Sequence, residues 1–224
     1  MTVTQSLIGF ALAAGLLTIT PGLDTALVLR TAAVEGTKGA ALAGLGILAG
    51  CLVWGAAVAL GLGALLTAST LAFTVLKWAG ALYLLWLGVN LLLRPRSAFQ
   101  LSEAQPGQPR FAFTVGQAPT HRPPSAGNWL RRGLLTNLLN PKVGVFYVSF
   151  LPQFLPAQVS TGPYLFLLAA LHAFMGAVWF AVLIGATRPI ARLLQRPATV
   201  RRLDRLTGLV FVGFGLKLAA ARTA

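Results

Sequence analysis

The sequence predicts an all-α, polytopic membrane protein of about six transmembrane helices, arranged as two inverted three-helix repeats whose first helices are broken. Three observations predict it. Hydrophobic residues make up 56% of the 224-residue chain and charged ones only 10%, where a soluble domain carries about 25% charged residues. Charge-free stretches run from Gly39 to Leu76 and from Val143 to Thr187, each longer than the roughly 20 apolar residues that cross a bilayer. Finally, a phrase recurs: "GLLTITPGLD" at 15–24 and "GLLTNLLNPK" at 133–142 each place a proline inside an apolar run with one charged residue just beyond it.

Apolar runs bounded by loop signals place helices at roughly 3–33, 39–66, 71–93, 133–155, 163–187 and 203–221. No basic region precedes the first apolar run, so the N-terminus reads as a retained helix rather than a cleaved signal peptide. Residues 94–127, rich in Pro, Gln, Gly and Ser, read as a flexible cytoplasmic linker between repeats 1–93 and 128–221 of a single transmembrane domain, 1–224.

A net charge of +14 raises the possibility of nucleic acid, but the basic residues sit in alternate loops instead of on a soluble surface. Arg30 and Lys38 flank the first loop, Arg94 to Arg132 crowd the third, and Arg188 to Arg205 fill the fifth, whereas the second and fourth loops carry no charge. Cytoplasmic loops are enriched in Lys and Arg, so both termini are expected outside and no nucleic-acid partner is implied. The first repeated phrase then lies on a helix entering from outside and the second on one entering from inside, the pattern of a secondary transporter built from inverted repeats.

A proline inside a helix removes a backbone donor and clashes with the preceding turn, at a cost of about 3 kcal/mol. Within a membrane that is tolerated where the freed backbone is buried in protein or lines a wet cavity. Thr20-Pro21 and Asn140-Pro141 each read as an N-cap followed by a first-turn proline, so each break also starts a new half-helix, with Gly22 beside the first. Pro21 lies nine residues before Arg30 and Pro141 nine after Arg132. At 1.5 Å per residue both breaks fall about 13 Å from the cytoplasmic boundary, near the middle of a core about 30 Å thick.

Asp24 follows one turn into the first half-helix, where the positive helix end favours a carboxylate. Lys142 stands at the wrong end of a helix for a cation, at a depth where a lysine costs about 2.5–3.5 kcal/mol. It therefore needs an anionic partner, either Asp24 or a visiting molecule. An amino acid is such a visitor: its carboxylate suits Lys142 and the half-helix ends, its ammonium suits Asp24. A permanent Asp24–Lys142 ion pair without a substrate role is the structural alternative.

His172, near the middle of the fifth helix, is a candidate proton relay or a hydrogen-bonded core histidine. Lys77 and Lys217 lie within reach of the outer boundary and can snorkel. Glycines in "GAALAGLGILAG" and "GLVFVGFG" recur at the spacing that lets helices approach closely, and they leave open association into a homo-oligomer. The single cysteine, Cys51, excludes a disulfide framework and paired-cysteine redox chemistry; with no His cluster, no metal site or other cofactor is expected. An intramembrane enzyme would need a nucleophile and base, or a metal set, at one depth, and the isolated acids, Cys51 and His172 do not supply it, so no catalytic residue is assigned. Export of another small solute or a metal ion on the same scaffold is the alternative function.

The segments "TPGLDTALVLR", "GLGILAGCLVWGAAVALGLGALL", "LKWAGALYLLWLG" and "GLLTNLLNPKVGVFYVSFLPQF" resemble the lysine exporter and homoserine/threonine-resistance family of amino-acid efflux proteins. Pro21, Gly22 and Asp24 match the family's first motif, in which a second proline stands where this chain has Leu23. Gly133, Asn137, Asn140, Pro141 and Lys142 match the second. The resemblance implies an inner-membrane protein, surrounded by lipid, that exports an amino acid or a close derivative and takes protons as its coupling ion.

Overall fold

The computed structural model describes residues 1–68, 70–95 and 126–220; most of the expected linker, and the side chain of Lys77, lie outside the described residues. Every described element is helical. In order these are α1 (Val3–Ile19), α2 (Leu23–Val34), α3 (Gly36–Ala68), α4 (Thr70–Leu93), α5 (Ala126–Leu138), α6 (Pro141–Val145), a π-helical turn (Phe146–Phe150), a 3-10 turn (Leu151–Phe154), α7 (Thr161–Gly185), α8 (Thr187–Gln195) and α9 (Pro197–Ala220). The chain is an all-α polytopic membrane protein. By length and composition α3 over Gly36–Gly61 and α7 can each cross a bilayer, as can α1 and α2 taken together.

The expected first helix, 3–33, is two helices. Thr2 opens α1 with a capping box: its hydroxyl accepts from Gln5 N at 3.2 Å, and its own N–H donates to Gln5 Oε1 at 2.9 Å. Thr20 turns extended at ψ 118° because the ring of Pro21 disfavours helical geometry in the residue before it, and α2 leaves at 50° to α1. Gly36, at φ +86°, then makes the sharp turn into α3, a backbone region that glycine enters without penalty.

The expected fourth helix, 133–155, starts earlier, at Ala126, and stops at Leu138. Past the break it is irregular for a sequence reason. Pro152 has no N–H and its ring clashes with the preceding turn, so just before it the backbone slips register and Leu151 N–H bonds back to Phe146 O. The slip gathers Phe146, Phe150 and Phe154 into one aromatic cluster with Phe10 and Phe214, with ring centroids 4.1 to 6.1 Å apart. Beside it Ser6 Oγ donates to Phe154 O and accepts from Tyr164 OH, tying α1, the 3-10 turn and α7 together.

The fifth expected loop contains a helix, α8. "TRPIARLLQ" sets Ile190, Leu193 and Leu194 on one side and arginines on the other, the pattern of a helix lying at a membrane surface.

Most glycines of "GAALAGLGILAG" and "GLVFVGFG", Gly213 excepted, sit where a Cβ would meet a neighbouring segment. α3 packs most extensively on α5 and α7, and α4 on α9. At the α4–α9 crossing Gly88 and Gly208 face each other, and a Cβ on either would fall 2.8 Å from the other's carbonyl oxygen. Such contact is where small residues supply the dispersion attraction that lipid cannot displace.

Candidate functional site

The two breaks meet. Thr20, Gly22, Asp24, Asn140, Lys142 and His172 all line one cavity of about 60 Å³. Asn137 stands behind Asp24, and Pro141 faces away toward a crevice against α4. Pro21 is buried beside Thr20 at the end of α1 and serves to interrupt the helix.

Asp24 is brought in by the first turn of α2 and held by the second break. Asn137 Nδ2 donates to Asp24 Oδ2 at 2.9 Å, and Asn140 Nδ2 to Asp24 Oδ1 at 3.4 Å. Asn137 is fully buried, and its Nδ2 also lies 3.5 Å from Cys51 Sγ on α3. Its room comes from Gly50, where a Cβ would fall 2.6 Å from Asn137 Oδ1 and 2.9 Å from Asn137 Cβ. Amide donors to a carboxylate are charge-assisted bonds, among the stronger ones a protein makes.

Lys142 reaches across to the first break. Its Nζ donates to Leu17 O at 3.3 Å and Thr20 O at 3.2 Å, the carbonyls at the C-terminal end of α1, and it lies against Gly22. An interrupted helix leaves its last carbonyls without intrahelical donors and carries the negative end of its dipole there, so the break itself offers Lys142 a counter-charge. Sequence reasoning counted the positive ends of the half-helices and sought only an anion for this lysine; the carbonyl end of α1 is a partner it overlooked. Asn140 acts twice, for its Oδ1 also accepts from Lys142 N at 3.1 Å and caps α6 in the expected manner.

His172 is hydrogen-bonded through Nδ1 to Tyr147 OH at 3.0 Å, and its ring lies 5.1 Å from that of Phe146. It is thus both a bonded core histidine and part of the cavity wall. Lys217 sits away from the cavity with its ammonium 5.5 Å from the ring of Phe214.

Sequence reasoning missed two residues of α9. Asp204 is fully buried, and Thr207 one turn on bonds Thr20 Oγ1 at 2.6 Å, hydroxyl to hydroxyl. A signal was present: Val200, Asp204, Thr207, Gly208, Phe211 and Gly215 recur at helical spacing and share the buried face. The surrounding arginines concealed it.

A helical bundle in which two interrupted membrane helices bring a carboxylate and an ammonium to one small cavity has the arrangement of a membrane transporter's substrate site. Residues 16–222 match the LysE type translocator family, and the chain belongs to it. The homoserine/homoserine lactone efflux protein of Salmonella typhi is 30% identical over 96% of each chain. The leucine efflux protein of Enterobacter sp. (strain 638) is 30% identical over 94% of this chain and 93% of its own. An uncharacterized membrane protein, YrhP, of Bacillus subtilis (strain 168) is 29% identical over 95% of this chain and 98% of its own. No solved structure matches.

Proposed function

We propose that this protein exports a zwitterionic amino acid, or a close derivative, across the inner membrane by alternating access driven by protons. Asp24 takes the substrate ammonium or the coupling proton, and Lys142 takes the carboxylate. The observation that carries this is the meeting of both side chains in one cavity although 118 residues (142 − 24) separate them. The efflux of homoserine and leucine named for two full-length relatives supports the same class of cargo.

The two inverted repeats, 1–93 and 128–221, would rock against each other about the breaks, with both termini outside. About 60 Å³ is room for only a few water molecules, so substrate entry would require the walls to part. In that movement the carboxylate would displace the α1 carbonyls from Lys142 while the ammonium displaced the amides from Asp24, so binding would loosen the contacts that join the halves. His172 stands in the wall as the candidate proton relay.

The test is efflux from cells expressing the full chain, loaded in turn with a panel of amino acids, with and without an uncoupler. Export of at least one amino acid that collapses with the proton gradient is expected. Asp24→Asn should cut the rate to below a tenth at equal membrane abundance. Export unchanged by Asp24→Asn would remove Asp24 from the mechanism, and export indifferent to the uncoupler would remove the proton.

A further inference from the structure

The cavity wall sorts into two chemistries. Its polar members are chiefly Asp24, Lys142 and the threonines of the first break; its apolar ones include Ile47 and Leu48 of α3, Val143 of α6 and Phe180 of α7, with Gly176 on α7 one turn from both His172 and Phe180. Among the described lining residues Asp24 is the only acid and Lys142 the only lysine or arginine. Resting on the export reading above, we infer that this site selects a neutral amino acid with a compact apolar side chain, held by Ile47, Leu48, Val143 and Phe180, and that Gly176 and Leu48 set its length.

The charges decide the first half of this. Once an ammonium occupies Asp24 and a carboxylate Lys142, the described wall that remains has no acid for a second cation and no lysine or arginine for a second anion. His172 is already bonded to Tyr147 OH. An unpaired charge near the bilayer middle is disfavoured by on the order of 100-fold, so lysine and glutamate are rejected by what the wall lacks, not by their size. Shape decides the second half. Ile47 is 1% exposed and packs with Val28, Leu29 and Phe180, so that wall is backed by core and yields little. At Gly176 a Cβ would sit 3.1 Å from Leu48 Cδ2, so a methyl there would press on the end of Leu48, and the two positions together bear on the depth of the apolar lining. One methylene of misfit in an apolar pocket changes selection by about tenfold or more.

The experiment is competition by unlabelled amino acids against radiolabelled leucine, in liposomes reconstituted with the full chain. Leucine and valine should compete about 100-fold better than lysine or glutamate. Leu48→Ala should shift the ratio of leucine to alanine about tenfold toward leucine, and Gly176→Ala about tenfold toward alanine, with reconstituted amounts matched. Lysine competing within threefold of leucine would overturn the selectivity and leave the export reading standing. Ratios unmoved in both variants would overturn the assignment of Leu48 and Gly176 while leaving charge selection intact. Labelled alanine moving where labelled leucine does not would overturn the selectivity, and neither leucine nor any other amino acid moving when each is labelled in turn would overturn the export reading itself.

Discussion

At the second break the chain caps itself, whereas at the first it depends on residues from elsewhere. Asn140 accepts from Lys142 N through its side chain and from Val143 N and Gly144 N through its carbonyl, each near 3.0 Å, while Pro141 needs no donor. The first break has only part of such a local solution: Thr20 bonds back to Leu16 O and Gly22 O accepts from Ala26 N, but Gly22 offers no side-chain cap to α2. The freed carbonyls of Leu17 and Thr20 take the ammonium of Lys142, the carboxylate of Asp24 takes the amides of Asn137 and Asn140, and Thr20 takes a hydroxyl from Thr207. One break is therefore capped in place and the other depends in addition on groups from across the bundle. The lesson is that the groups joining the two breaks are the same groups the proposed substrate would claim.

The largest test of that asymmetry is Lys142→Met. Two carbonyls would lose a donor, at about 1–3 kcal/mol for a buried group left unsatisfied. A cation would also leave the membrane interior, relieving about 2.5–3.5 kcal/mol. These effects nearly offset, so the variant should insert and melt close to the parent, yet export should fall to a few per cent. Thermal melting in detergent beside the efflux rate separates the two roles. Parent-like efflux would leave Lys142 as a helix cap and nothing more, and would reduce the comparison of the breaks to packing.

A smaller effect is expected from Gly50→Ala, which touches neither charged residue. Its methyl would fall on the side chain of Asn137, which must shift and so weaken its grip on Asp24. Efflux should drop roughly tenfold, in keeping with about 1.4 kcal/mol lost from a charge-assisted bond. Gly61→Ala, where nothing lies within 4 Å, is the control on the same helix and should leave the rate alone. Equal rates for the two variants would mean that Asn137 does not position Asp24.

Much of this site was legible because its parts are costly. A proline in an apolar run, a lysine at mid-membrane depth and paired half-helix starts each break a strong local rule, so "TPGLD" and "NLLNPK" point to the cavity without coordinates. What stayed hidden was of two kinds. Partners that are backbone atoms, such as the carbonyls of Leu17 and Thr20, have no residue type to betray them. Partners from a distant segment, such as Asp204 and Thr207, read locally as a charged loop, because helical spacing shows only that they share a face and not what that face meets. The register slip at Phe146–Phe150 belongs between the two: Pro152 announces an irregularity, but whether the chain answers with a kink or a π turn depends on aromatic packing against Phe10 and Phe214.

The smallest effect should come from Thr207→Val, and its size follows from counting protons. Thr20 Oγ1 lies 2.6 Å from Leu16 O and 2.6 Å from Thr207 Oγ1. A hydroxyl has one proton, and that of Thr20 is committed to the carbonyl of Leu16, so Thr207 is the donor in the pair. Valine at 207 removes that donor and keeps the shape, while Thr20 retains its own bond and is not left unsatisfied. Interhelical hydrogen bonds in membranes average about 0.6 kcal/mol. For a chain of this size that amounts to a fall in Tm of about 1–3 °C. Export should stay within twofold of the parent, since the hydroxyl pair bonds neither Asp24 nor Lys142 directly. A tenfold loss of export with an unchanged Tm would instead place α9 inside the transport step, and its hydroxyl would then do more than brace the first break.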